Sequence, residues 1–244
     1  MLVQTVICVG LILLISVTGR IYSDEVYKKV QENVKVPTVM LPEPQYKIVP
    51  IQYERYDYPS PIILKLVTKE KQDLSTVEGL CSAMYSAAKS ADSNWARELF
   101  EEKDRQEAIQ EKTEYDRQYK ERYETELKEF LQKGYIKSKE EFDKEFKEVY
   151  DNDYDNRGKK TAQLLTKGVL LYKLKYKGYI IVCEVDQFDN KGEVVLPFPV
   201  VAKQIDGKWY ASLEFMVRNV DEAMQSLFLY MDPDPIQKKM RTLK

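Results

Sequence analysis

Hydrophobic and polar positions change period several times along the chain. Leu2 to Val17 is mostly Val, Ile and Leu, interrupted only by Gln4, Thr5, Gly10 and Ser16, and no charged side chain precedes Arg20. From 23 to 68 no period is sustained. Pro37, Pro42, Pro44, Pro50, Pro59 and Pro61 remove backbone donors there, and Tyr46, Tyr53, Tyr56 and Tyr58 lie among them, so this stretch reads as a spacer or as an extended arm along a groove or sheet edge of itself or of a partner. A helical period then begins. Ser75 to Glu78 has the form of a capping box ahead of Leu80, Met84, Ala87 and Ala88, and Asp92 opens a second part with Trp95, Leu99 and Phe100. The pattern predicts a two-part helix over 75–102 that covers a sheet.

Between 101 and 160 an aromatic stripe recurs every four residues at Tyr115, Tyr119, Tyr123, Leu127 and Leu131, with Phe130 beside it. Gly134 ends that helix, and Ser138 to Glu141 caps another whose Phe142, Phe146, Val149 and Tyr150 share a face. Two antiparallel helices forming a hairpin are predicted. The last third alternates with period two over Val169 to Tyr176, Tyr179 to Phe188, Glu193 to Ile205 and Lys208 to Val217. The breaks, Lys177 with Gly178, Asp189 to Gly192, and Asp206 with Gly207, read as hairpin turns joining four antiparallel strands in a meander. Pro197 and Pro199 predict a bulge or an edge in the third strand. A short helix follows over Glu222 to Met231, and Lys238, Lys239, Arg241 and Lys244 make a basic tail.

The fold class expected is therefore α+β: a helix on a curved four-stranded antiparallel meander, with a charged helical-hairpin insertion and an N-terminal apolar helix. The chain divides into 1–19, a signal peptide or membrane anchor; 20–70, a Pro/Tyr-rich linker or arm; 71–231, the α+β domain with 103–160 inserted; and 232–244, the tail. At roughly 17 residues the apolar run falls between a signal-peptide core and a spanning helix. Export is the leading expectation, placing the domain in the periplasm or cell envelope, anchored or secreted. Arg20, Lys28 and Lys29 after the run keep a cytoplasm-facing anchor in play, and a buried N-terminal helix is the remaining alternative.

Composition narrows the chemistry. The 244 residues hold 38 Lys and Arg against 40 Asp and Glu, for a net charge of −2, which speaks against nucleic acid as a partner. More than half of residues 101–160 are charged, so that stretch cannot be buried on all sides. There is no histidine, which excludes Ser-His-Asp and Cys-His catalysis and every His-ligated metal. No cofactor motif is present: the glycines form neither a dinucleotide fingerprint nor a Walker loop. Asp151, Asp153 and Asp155 begin like a calcium loop, but Asn156 stands where Gly is needed and Ala162 where a bidentate Glu is needed, so no metal is expected. Cys81 and Cys183 would remain after cleavage, enough for one bridge.

Without histidine, carboxylates remain the candidate acid–base groups. Glu184 and Asp186 lie two apart on one strand face, and with Tyr179 they form the catalytic candidates of the enzyme alternative. The interaction candidates are Tyr115, Tyr119 and Tyr123 on the hairpin and Tyr53, Tyr56 and Tyr58 on the arm. A Ser75-capped helix, a second part opened by Asp92, and a meander carrying Ile205 to Tyr210 with its Asp206-Gly207-Lys208-Trp209 turn resemble exported domains of the nuclear-transport-factor-two-like (cystatin-like) superfamily over about 73–102 and 162–217. That resemblance implies a helix packed into a curved sheet and, lacking histidine and an alignable catalytic Asp/Tyr set, the non-enzymatic branch. The function expected is a domain working through protein contacts in an envelope assembly, held to the membrane by residues 1–19. The alternatives are a small-molecule-binding domain or His-free acid–base enzyme, and a cytoplasm-facing adaptor.

Overall fold

The structure is a computed structural model and describes residues 25–39, 45–150, 159, 162–188, 194–213 and 222–229. Residues 1–19, the turn at 189–192, the acidic run at 151–155 and the tail at 232–244 lie outside the described residues. Among the described residues no helix is long and apolar enough to cross a membrane.

The protein is α+β, built on one antiparallel sheet of six strands in the order β1 to β6. The strands are β1 (Lys28–Val39), β2 (Gln45–Ile63), β3 (Leu165–Tyr176), β4 (Tyr179–Phe188), β5 (Val194–Ile205) and β6 (Lys208–Ala211). The sheet thus exceeds the expected four strands, because the segment read as a linker or arm supplies two more. Val34, Val36, Ile51, Tyr53 and Tyr58 are buried there, so this is core and no spacer. The prolines are accommodated where the ladders permit. Pro37 lies at a register shift in β1, Pro59 and Pro61 fall within the register break between Asp57 and Ile62, and Pro50 lies where β2 pairs on one side only.

Two of the sequence-read turns have the backbone that hairpins require. Lys177 and Gly178, and Asp206 and Gly207, take positive φ in succession, at 48° and 82° and at 50° and 77°, as in a type I′ turn. β5 pairs with β4 without a register shift through Pro197 and Pro199, and β6 pairs only with Ala202–Ile205. Among the described residues both prolines therefore occupy a local edge, the second of the two expected outcomes. β6 stops at Ala211, short of Val217, because Leu213 N turns to donate to Asp104 Oδ2 at 2.7 Å; residues 214–217 lie outside the described residues. The outer side of β6 is closed by the segment after the second helix, where Ala211 N donates to Leu99 O and Glu101 N donates to Ala211 O.

Helices α1 (Val77–Lys89) and α2 (Ser93–Glu98) cover one face, and α5 (Glu222–Leu229) covers the other. The cap of α1 is Thr76, which accepts from Gly79 N, one residue later than the sequence suggested. Ser75 instead bonds to Asp73. Asp92 caps α2 by accepting from Trp95 N, and Ala91 at φ 54° makes the break between the two parts. Cys81 is buried on the inner side of α1 and Cys183 on the opposite sheet face; both are free, so the one bridge that composition allowed does not form.

The inserted hairpin is α3 (Glu102–Lys133) and α4 (Lys139–Tyr150), joined through Gly134 in the left-handed conformation. Among the described side chains its small core is Ile136 and Phe142, with Tyr119, Tyr123, Leu127 and Phe130 packed around them.

Candidate functional site

Three places on this scaffold gather chemistry. The first is the carboxyl pair. Even-numbered residues of β4 face α1, so Ile180, Val182, Glu184 and Asp186 line one face and Ile181, Cys183 and Val185 the other. Glu184 is 4% exposed. Burial, and then the charge of Asp186, hold its carboxyl well above the usual range, and burial pushes Asp186 up to about 6. The Oδ1 of Asp186 is buried with no hydrogen-bond partner among the described residues. Tyr85 and Cys81 of α1 stand nearest as titratable neighbours. The helix comes close here. Gly168, paired with Asp186, would place a Cβ 2.7 Å from Tyr85 Cδ2 and 2.9 Å from Leu64 Cδ1.

Tyr179 does not join this pair. It is odd-numbered, packs with the core of the opposite face, and lines a groove at the other end of β4. The catalytic grouping of Glu184, Asp186 and Tyr179 is therefore not assembled. What remains is a pair of carboxyls with raised proton affinity under a helix, without Tyr179 beside them. No cluster of three or more metal-ligating side chains occurs among the described residues.

The second place was not foreseen. Lys173 is 4% exposed, and its ammonium donates to Glu25 Oε1 at 2.6 Å and Glu78 Oε1 at 2.7 Å. Tyr58 OH donates to the same Glu78 oxygen at 2.7 Å, and Lys173 Nζ lies 5.4 Å from the Tyr56 ring centre and 5.6 Å from that of Tyr58. Burial alone would lower the lysine's pKa, and the two carboxylates reverse this and raise it. Glu78 is pulled down against its own burial by Lys173 and Tyr58. No signal in the sequence marks Lys173, which in Leu171 to Lys175 reads as an ordinary solvent-facing position. The cluster ties α1, β2 and β3 together. Lys173→Met should lower stability by about 2 kcal/mol, below the full cost of breaking a buried pair because Glu78 and Glu25 stay partly in water. Adding Glu78→Gln should recover part of the loss in urea unfolding. An unchanged midpoint for the single variant would show that the cluster contributes nothing.

The third place is the surface of the hairpin. Tyr115 is 44% exposed and stacks on Tyr119 at 5.9 Å between centroids, with Ile109 equally exposed one and a half turns earlier. Tyr119 and Tyr123 belong to the seam, where Tyr123 packs edge-on to Phe142 and its hydroxyl bonds to Asp143. Of the arm tyrosines, Tyr53 and Tyr58 are buried and donate to Glu32 and Glu78, so they are core residues and not free contact points. Tyr56 is half-buried among Tyr27, Tyr58 and Lys173. Of the six interaction candidates, Tyr115 alone is exposed. The chain matches no protein-family model, no curated protein and no solved structure.

Proposed function

We propose that this protein is a non-enzymatic domain, exported or tethered to a membrane through residues 1–19, that works by protein contact in an envelope assembly, with the α3–α4 hairpin as its contact arm. One observation carries the reading. α3 is 32 residues long, about 48 Å at the helical rise, yet Asp104 at its base is its only buried residue. The rest has its own small core and an outer face of paired charges, such as Arg117 with Glu114 and Glu121, and Arg122 with Glu126. Beyond the tie at Asp104 such a helix buries nothing against the sheet, so a role outside the domain accounts for its length.

A photo-crosslinking residue at Tyr115, exposed in intact source cells, should give adducts with one defined protein. The same residue at Lys35, on the sheet edge away from the hairpin, should not give that adduct. A body that is monomeric and makes no adduct in its native membranes would sink the reading. Protease added outside intact cells separates the two topologies, since a cytoplasm-facing adaptor stays uncut. The raised carboxyls of Glu184 and Asp186 favour acid–base or ligand chemistry as a second reading, weakened by the placement of Tyr179 on the other face.

A further inference from the structure

The β1–β2 hairpin outruns the strand beside it. β2 is in ladder with β3 only from Glu54 onward, and its residues 45–53 pair with β1 alone. β3 ends in the Lys177–Gly178 turn, so beyond Lys175 no strand covers the far side of β2 among the described residues. The space left is an open groove of about 1130 Å³, walled by β2 from Pro50 to Glu54 on one side and by Tyr176 to Ile180 on the other, with Trp209 at its rim.

The walls carry a definite chemistry. Among the described residues Lys29, Lys175 and Lys177 border the groove with one carboxylate, Glu54. Lys175 Nζ lies 3.7 Å over the Tyr27 ring centre and Lys177 Nζ 5.1 Å over that of Tyr176, so two of the three ammonium groups are held by aromatic faces at the groove's border. Tyr179, and the small part of Tyr53 that is not buried, supply apolar wall between the charges. An unpaired strand edge asks for another main chain, and a surplus of positive charge asks for carboxylates.

We propose that this groove seats an extended acidic segment of a partner protein, which adds a short strand beside residues 51–53 of β2 and sets its carboxylates against Lys29, Lys175 and Lys177. A second copy of the chain fits less well, because its open edge, β1, carries Lys28, Lys29 and Lys35 against Glu32 and would bring like charge to like. The groove is separate from the hairpin surface, so either assignment stands or falls without the other.

The test uses the full chain and a short fluorescein-labelled peptide of alternating Glu and Val with blocked ends, compared with its Lys and Val counterpart and with a Glu and Val version N-methylated at alternate amides. The acidic peptide should bind and change the fluorescence of Trp209. N-methylation should weaken binding at least about tenfold by removing main-chain donors, and the joint change Lys29→Glu with Lys177→Glu should do the same through charge. The milder Lys29→Gln with Lys177→Gln serves if the reversal disturbs folding. Substituting Tyr115 on the hairpin should leave peptide affinity unchanged. Failure of the acidic peptide to bind, or binding equal to that of the basic or the N-methylated peptide, would overturn the assignment.

Discussion

Asp186→Asn should make the protein more stable at pH 7, by about 1–2 kcal/mol, and should flatten its stability between pH 4 and 6. The direction follows from linkage. Asp186 titrates at about 6 in the folded chain because burial disfavours its charge, while the unfolded chain releases the same proton near 4. Between those values the folded state holds more protons than the unfolded one, so stability falls as pH rises through the window. Above it the full penalty applies, about 3 kcal/mol for a shift of about two pKa units. Asparagine removes the charge and returns part of this as an amide that must itself find partners. It also relieves Glu184, whose carboxyl is raised second by the Asp186 charge. The absence of histidine makes the experiment clean. No ordinary side chain titrates between pH 5 and 7 here, so a slope in urea unfolding across that range belongs to raised carboxyls such as these. A flat profile for the unsubstituted protein, or a loss of stability in the variant at pH 7, would show that the pair is compensated and not destabilising.

Much of this architecture is legible in the residues because local chemistry and tertiary structure agree. The positive-φ pairs at Lys177–Gly178 and Asp206–Gly207, the cap at Asp92 and the middle of the stripe, Tyr119, Tyr123 and Leu127 with Phe130, stand where the sequence places them, while the stripe's ends at Tyr115 and Leu131 are exposed. The first two strands are not read because six prolines outweigh the alternation of Val34 with Val36 and of Val49, Ile51 and Tyr53. That weighting fails when a proline falls at a bulge or an unpaired edge, as Pro37, Pro50, Pro59 and Pro61 do. Tyr179 is a different kind of miss. Its odd spacing from Glu184 and Asp186 already assigns it to the other face of a strand, so period two alone separates it from them. Lys173 was illegible for a third reason. Its partners are Glu25, just ahead of the first strand, and Glu78 on α1, and no local pattern reports a contact of that span.

Phe142→Ala should melt the hairpin and leave the sheet standing. Phe142 is fully buried, with its ring edge-on to Tyr123 at 5.4 Å and to Phe130 at 5.6 Å. Removing a buried phenylalanine costs about 3–5 kcal/mol where the site cannot collapse, and Ile136 is the only other buried apolar side chain of that small core among the described residues. The i,i+4 charge pairs along α3 contribute only about 0.3–0.5 kcal/mol each and cannot make up the difference. The loss should stop at the base, because the tie to the body is polar and local: Asp104 accepts from Leu213 N, and Glu101 accepts from Ser212. Amide exchange should therefore become fast in α4 and in α3 beyond its first turns, while β3, β4 and α1 keep their protection. Parallel loss of protection in the sheet would mean that the hairpin braces the domain, and an unchanged hairpin would mean that the seam does not hold it. If the melting is confined as expected, the variant also separates arm from body. It should lose the crosslink at Tyr115 and retain peptide binding at the Lys29–Lys177 groove, since only the first depends on a rigid helix projecting from the sheet.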